Sequence, residues 1–237
     1  MPTTRAVLLD AGLTLLRAEP NLGAIYARVA ARHGRTAGPG EFEAAAEAAF
    51  HILGIEHREG GTEGLRTSDD LERTSWHRHA RRVMDGVPAM AGADFDAWFE
   101  DLYGEFGCAR AWTPFDDTVP TLEALRARGL RLAVVSNWDS RLRGILRDRE
   151  LTAHFDHVII SAEVGWRKPH PEIFRRALAL LGVAPGEALH VGDSVGDDVE
   201  GARAAGVPVA LLDRDGTRKS DGVPVLRGLD GILGLVG

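Results

Sequence analysis

Val7-Leu8-Leu9-Asp10-Ala11-Gly12-Leu13-Thr14-Leu15-Leu16 decides how the rest of this chain is read. Arg5 to Leu9 is a short apolar run, bounded by Pro2 upstream and by Asp10 and Gly12 downstream. Such a run fits a strand covered on both faces, as in a parallel sheet. Asp10 then stands at the strand's C-terminal end, the edge where open α/β sheets bind ligands. Thr14 lies across a tight turn, and its hydroxyl is expected to hydrogen-bond Asp10 and hold it in one rotamer. Alone, the stretch fits an ordinary strand and Asp-Gly turn equally well. The remaining residues decide between the two.

At 237 residues the chain is long enough for one sizeable core, with or without an insertion. Its 44% hydrophobic and 27% charged residues are those of a globular protein. A net charge of −7 argues against a nucleic-acid or anionic-membrane partner. A phosphate ligand would need cations supplied locally. Cys108 is the only cysteine, which excludes an intramolecular disulfide and a cysteine metal cluster. Met-Pro-Thr-Thr-Arg leads directly into the first strand, without a signal segment, and no apolar run reaches membrane-spanning length. The expected location is the cytoplasm. Of 28 basic residues only Lys168 and Lys219 are lysines.

Beyond Leu16 the pattern turns helical. Leu22, Ile25, Tyr26 and Val29 recur at helical spacing up to Gly34. After the loop Arg35 to Gly40, a second stripe runs through Phe42, Ala45, Ala49, Phe50 and Leu53, and Glu59 to Gly64 breaks it. Ser68 starts a helix before Leu71 to Met84, and Asp94 caps another that carries Phe95, Trp98, Phe99, Leu102 and Phe106. Residues 18–108 thus read as an all-helical block. Alternation resumes at Trp112: helices Thr121–Arg128, Ser140–Arg149, one opening at Pro171, and Val199–Ala205; strands Leu130–Val135, His157–Ser161, Ala188–Val191, Pro208–Leu212 and Val223–Leu226; then a terminal helix to Leu235. Strands alternating with helices predict a doubly wound parallel sheet, a Rossmann-like α/β core. The block 18–108 is then an inserted α-helical cap, with residues 1–17 and 109–237 as the core.

Polar residues collect where these strands end: Asp10, Ser136-Asn137, Lys168 in the loop past the third strand, and Asp193. In a parallel sheet those ends share one edge, so the groups converge on one crevice. With Asp10-Ala11-Gly12-Leu13-Thr14, Ser136-Asn137, Arg167-Lys168-Pro169, and Gly192-Asp193 with Asp197 and Asp198, nearly the whole chain resembles the haloacid dehalogenase-like hydrolase superfamily. The resemblance is to the group with a helical cap inserted after the first motif.

That resemblance implies a role for each residue. Asp10 is the nucleophile, forming an aspartyl-phosphate that water hydrolyses. Thr14, Ser136 and Asn137 bind substrate, and the amides after Ser136 open a helix N-terminus suited to anions. Lys168 pairs with nucleophile and phosphate. A lysine here, in an arginine-rich chain, fits the need for a compact point charge among carboxylates. Mg²⁺ is held by Asp10, Asp193, Asp198 and the Gly12 carbonyl. The downstream Gly201-Ala202 register favours Asp198 over Asp197, which is expected to cap the helix. The implied activity is a Mg²⁺-dependent phosphohydrolase acting on a small phosphorylated metabolite.

The chain departs from the family pattern at Gly12 and Leu13. Family phosphatases carry a second aspartate at the first of these positions, as general acid, and usually glycine at the next. A positioned general acid contributes roughly 10²–10⁴ in rate, so slow turnover is expected. His51, His57, His77 and His79 are substitutes only if they leave their expected solvated helix faces. Haloacid dehalogenases also lack the second aspartate, but they lose the acidic pair kept here. Phosphonate-cleaving members use a cap lysine, and residues 18–108 contain none. The alternatives are a dehalogenase-type hydrolase and a non-catalytic metabolite-binding member of the fold.

Overall fold

The first strand, β1 (Ala6–Leu9), is buried over its whole length. The computed structural model describes residues 3–217 and 222–236, with Arg58 described by its backbone alone. Lys219 lies outside the described residues. The later strands are β2 (Leu16–Ala18), β3 (Trp112–Pro114), β4 (Arg131–Ser136), β5 (His157–Ile160), β6 (Ala188–Gly192), β7 (Val209–Leu212) and β8 (Val225–Leu226). Six of them form one sheet in the order β5-β4-β1-β6-β7-β8, and every neighbouring pair is parallel. β1 lies at its centre, with Leu9 level with Val134 of β4 and Val191 of β6.

Helices cover both faces. They are α1 (Leu22–Arg32), α2 (Pro39–Glu59), α3 (Gly61–Gly64), α4 (Asp69–Gly86), α5 (Phe95–Phe106), α6 (Thr118–Ala127), α7 (Leu142–Asp148), α8 (Ser161–Val164), α9 (Pro171–Leu181) and α10 (Glu200–Ala204). Successive residues of a strand point to opposite faces. Ala6 and Leu8 of β1 join Ile173, Phe174 and Ala177 of α9 on one side. Val7 and Leu9 join Leu122, Leu125 and Ile145 on the other. This is an α/β Rossmann-like fold, as the alternation predicted.

The helices from α1 to α5 stand between β2 and β3, around Tyr26. Its ring centroid is 5.9 Å from Phe42, 6.1 Å from Trp98 and 5.4 Å from Phe106. Asn21, Ser68 and Asp94 cap α1, α4 and α5, each accepting a backbone N–H three residues on.

Several local expectations change. Residues 16–18 are not yet helical: β2 pairs antiparallel with β3, Arg17 level with Thr113. Strands of three residues whose partners lie far along the chain leave no periodic signal. Ser140 does not start α7, which begins at Leu142. The expected helix from Val199 is α10, preceded by a π-turn at Val195–Val199. The last helix is a 3₁₀ segment, Leu229–Gly234.

Candidate active site

Asp10 follows β1 directly and is tied to β6 by its amide, which donates to the Val191 carbonyl at 3.0 Å. Its side chain is buried. Ser136, the last residue of β4, donates its hydroxyl to Asp10 Oδ1 at 3.1 Å, and Lys168 Nζ donates to the same oxygen at 2.7 Å. Among the described residues Asp10 Oδ2 accepts no hydrogen bond. The side chain is therefore held by one oxygen and open at the other.

Lys168 is 2% exposed and bridges two carboxylates, Asp10 at 2.7 Å and Asp198 Oδ1 at 2.6 Å. Burial works against its ammonium, but the two carboxylates outweigh it and raise the Lys168 pKa above the ordinary lysine range. Burial pushes Asp10 upward against the pull of Lys168. Burial would also raise Asp198, yet Lys168 and His190 hold it well below the usual carboxylate range.

Asp198 is gripped at both oxygens. Oδ2 accepts from the Ser194 amide at 2.9 Å. Oδ1 meets His190 Nε2 at 2.8 Å, while His190 Nδ1 faces the Leu8 carbonyl at 3.1 Å. The ring thus spans the Asp198 carboxylate and the backbone of β1. His190 is fully buried in β6 and was not singled out from sequence. Its one signal there was a polar residue inside the apolar run Ala188–Val191. A Cβ on Gly192 would stand 2.1 Å from Asp198 Cγ, so only glycine lets this carboxylate lie across the strand end.

Carboxylate oxygens of Asp10, Asp193 and Asp198 lie within 4.8 Å of one another. Three hard oxygen donors on one sheet edge suit Mg²⁺, which takes carboxylate and water ligands. The donor set fits the ion. Asp198, not Asp197, belongs to this trio. Asp197 faces a neighbouring cavity, and burial pushes its pKa up to about 6 with the Asp198 charge adding to the effect. Nor does Asp197 cap the turn: Ser194 does, accepting the Asp197 amide at 3.2 Å. Gly12 sits at the same edge in a bridge with Leu16.

Three expectations around the site need correction. Thr14 does not hold Asp10: its hydroxyl is buried without a hydrogen-bond partner among the described residues. The turn is closed by backbone instead, Leu15 and Leu16 amides donating to the Ala11 carbonyl at 2.9 Å each. Asn137 does not offer its amide to the crevice. Its Nδ2 donates to the Lys168 carbonyl at 3.0 Å and its Oδ1 accepts the Lys168 amide at 2.7 Å. Ser136 and Asn137 do not open a helix, because a turn separates them from α7.

The four histidines divide. His79 is fully buried, 2.9 Å from the Tyr26 hydroxyl, and burial lowers its pKa to about 4. His77 packs on Phe95 and Phe99, away from the site. His51 and His57 line the cavity that also holds Lys168 and Asp197. A second cavity, about 520 Å³, opens beside Leu13, Asn137 and Trp138 toward α2 and α4. The helical layer meets the Lys168 loop directly, through Thr67 N–H to the Gly165 carbonyl at 3.2 Å and Arg167 N–H to the Leu65 carbonyl at 3.0 Å.

Comparison with known proteins agrees with this architecture. A haloacid dehalogenase-like hydrolase family model matches residues 4–206. Haloacid dehalogenase-like hydrolase domain-containing protein 3 of Bos taurus is 37% identical over 88% of this chain and 81% of its own. A phosphoserine phosphatase of Thermus thermophilus is 34% identical over 93% of this chain and 86% of its own. The fold is shared with a magnesium-bound HAD-hydrolase of Bacillus subtilis, at a TM-score of 0.79, 19% identity and 99% coverage of both chains. This chain belongs to the haloacid dehalogenase-like hydrolase family.

Proposed function

We propose that the protein is a Mg²⁺-dependent phosphohydrolase that cleaves a small phosphorylated metabolite through an aspartyl-phosphate. The observation that carries this reading is the asymmetry of Asp10. Ser136 and Lys168 both hold Oδ1, which leaves Oδ2 without a hydrogen bond among the described residues. A carboxylate fixed at one oxygen and free at the other is a positioned nucleophile. The relative named phosphoserine phosphatase supports the phosphate assignment.

In this mechanism Asp10 Oδ2 attacks phosphorus and the bond to the leaving-group oxygen breaks. Lys168, kept cationic, offsets negative charge beside the attacking carboxylate. Ser136 keeps Asp10 in one rotamer. Asp10, Asp193 and Asp198 would hold Mg²⁺, which supplies charge neutralisation for the phosphate oxygens. Gly12 offers no proton to the departing alkoxide, so esters of acidic alcohols are the best substrates. Water then attacks phosphorus of the aspartyl-phosphate, releasing phosphate and restoring Asp10. Residues 18–108 act as the cap that excludes bulk water.

The test is hydrolysis of p-nitrophenyl phosphate with Mg²⁺ and with chelator, for the native protein and Asp10→Asn. Turnover that needs both Mg²⁺ and Asp10 supports the reading. Turnover indifferent to chelator overturns the Mg²⁺ dependence, whereas no turnover of the aryl phosphate together with hydrolysis of a haloacid overturns the reading in favour of carbon–halogen hydrolysis. Phosphate binding without turnover favours the non-catalytic reading.

A further inference from the structure

The cavity of about 520 Å³ neighbours the site at Asn137 and is separate from the one that Lys168 lines. It starts at Leu13 and Asn137, the chain neighbours of Gly12 and Ser136, and runs outward between α2, α4 and β3. One wall is aromatic. Trp112 and Trp138 meet edge to face, with centroids 4.7 Å apart at 67°, and Trp76 meets Phe50 at 6.0 Å and 84°. Phe50 was expected among the apolar positions of α2, yet it is 41% exposed. A large ring left open to water beside a reactive carboxylate is a surface for something absent from the chain itself.

The lining is also acidic. Glu43, Glu47 and Phe50 fall at i, i+4 and i+7 of α2, so they share one face of that helix. Glu43 accepts only a backbone amide, that of Gly23. Glu47 makes no hydrogen bond or ion pair among the described residues. Glu72 also lines the cavity but is engaged by Thr67 at 2.6 Å and faces Arg167 at 3.6 Å. Among the described lining residues the one cation is Arg17, which lies 3.8 Å from Asp116 outside the cavity. Electron-rich ring faces in one cavity with unneutralised carboxylates attract organic cations and repel anions.

We infer that this cavity selects phosphate monoesters whose leaving group carries an organic cation, seated on Trp76, Trp112 and Trp138 and facing Glu43 and Glu47. This rests on the phosphohydrolase reading. The charge of the substrate is then divided, with the phosphate dianion at Lys168 and the cation at α2.

Choline phosphate and 3,3-dimethylbutyl phosphate test it: they share shape and differ in the charge of the distal group, and because the ammonium also makes choline the more acidic alcohol, their ratio is read against Glu47→Gln and Glu43→Gln, which leave the leaving-group chemistry unchanged. With p-nitrophenyl phosphate as the reference substrate, kcat/KM for choline phosphate should exceed that of the neutral isostere by about tenfold. Glu47→Gln and Glu43→Gln should each pull that ratio toward one. Glu47 is exposed, so its substitution leaves the fold intact. A ratio at or below one while the aryl phosphate is turned over overturns the inference and leaves the phosphohydrolase reading standing. So does a ratio untouched by both variants. No turnover of the aryl phosphate removes the phosphohydrolase reading and the inference with it.

Discussion

Asn137 holds the backbone of Lys168 from both sides, donating to its carbonyl at 3.0 Å and accepting its amide at 2.7 Å. The carboxamide thereby links the end of β4 to the loop that delivers the ammonium to Asp10 and Asp198. Both ends of one planar group are needed, which explains an asparagine rather than an aspartate. Asn137→Ala releases the loop. A misplacement of about 1 Å in a reacting group can cost ~10²-fold, so kcat should fall by roughly 10–100-fold with KM little changed. Steady-state kinetics on an aryl phosphate checks this. A raised KM with kcat preserved would mean that Asn137 binds substrate instead.

Gly12 has space for a side chain. A Cβ there would meet only the Trp138 ring, at 3.4 Å, which is ordinary contact. Gly12→Asp should therefore fold and restore a proton donor near the leaving group. Turnover of an alkyl phosphate should rise by about 10²-fold, while that of p-nitrophenyl phosphate, which leaves without a proton, should change little. Equal effects on both esters would remove the argument for a missing acid.

Leu13 sits in the left-handed region, with φ at +58°. A branched side chain there costs about 1–2 kcal/mol, and glycine removes that strain at a chain-entropy cost of roughly 0.5–1 kcal/mol. Leu13 is 56% exposed, so little packing is lost. Leu13→Gly should raise the unfolding temperature by about 1–3 °C in a chain this size, measured by thermal denaturation. A lower temperature would show that the leucine makes contacts outweighing its strain.

Glu105 is buried on α5 and faces three arginines, Arg110 at 2.7 Å, Arg28 at 2.8 Å and Arg32 at 3.1 Å. Hydrogen bonding from Arg110, with Arg32 and Arg28 adding, lowers its pKa from 4.5 to about 2. A depressed carboxyl stabilises the fold above its unfolded value and loses that contribution as pH falls through the folded one. The window here is pH 4.5 down to 2. The arginines are partly solvated, so the contribution is about 1–2 kcal/mol after screening. Glu105→Gln should unfold more easily at neutral pH and lose less stability than the native chain between pH 5 and 2. Parallel denaturation curves across that range would exclude the linkage.

The sequence by itself determined the class of fold. Strands buried on both faces, such as Ala6–Leu9, require helices on each side, and that demand is written in local apolar runs. It also placed Asp10, Ser136, Asn137 and Asp193, with Lys168 in the loop past the third strand, along one edge, because parallel strands end together; Asp198 was added by the family resemblance. Tertiary structure decided what those residues do to one another. The antiparallel pairing of Leu16–Ala18 with Trp112–Pro114, the hold of Asn137 on Lys168 and the seat of Asp198 between His190 and Gly192 join partners across chain separations that leave no periodic trace. Thr14 shows the converse: its spacing from Asp10 suggested a hydrogen bond, but Leu13 in the left-handed conformation and the Ala11 carbonyl close the turn without it. Hydrogen bonds are set by direction as well as distance, and direction is fixed only once the backbone is packed.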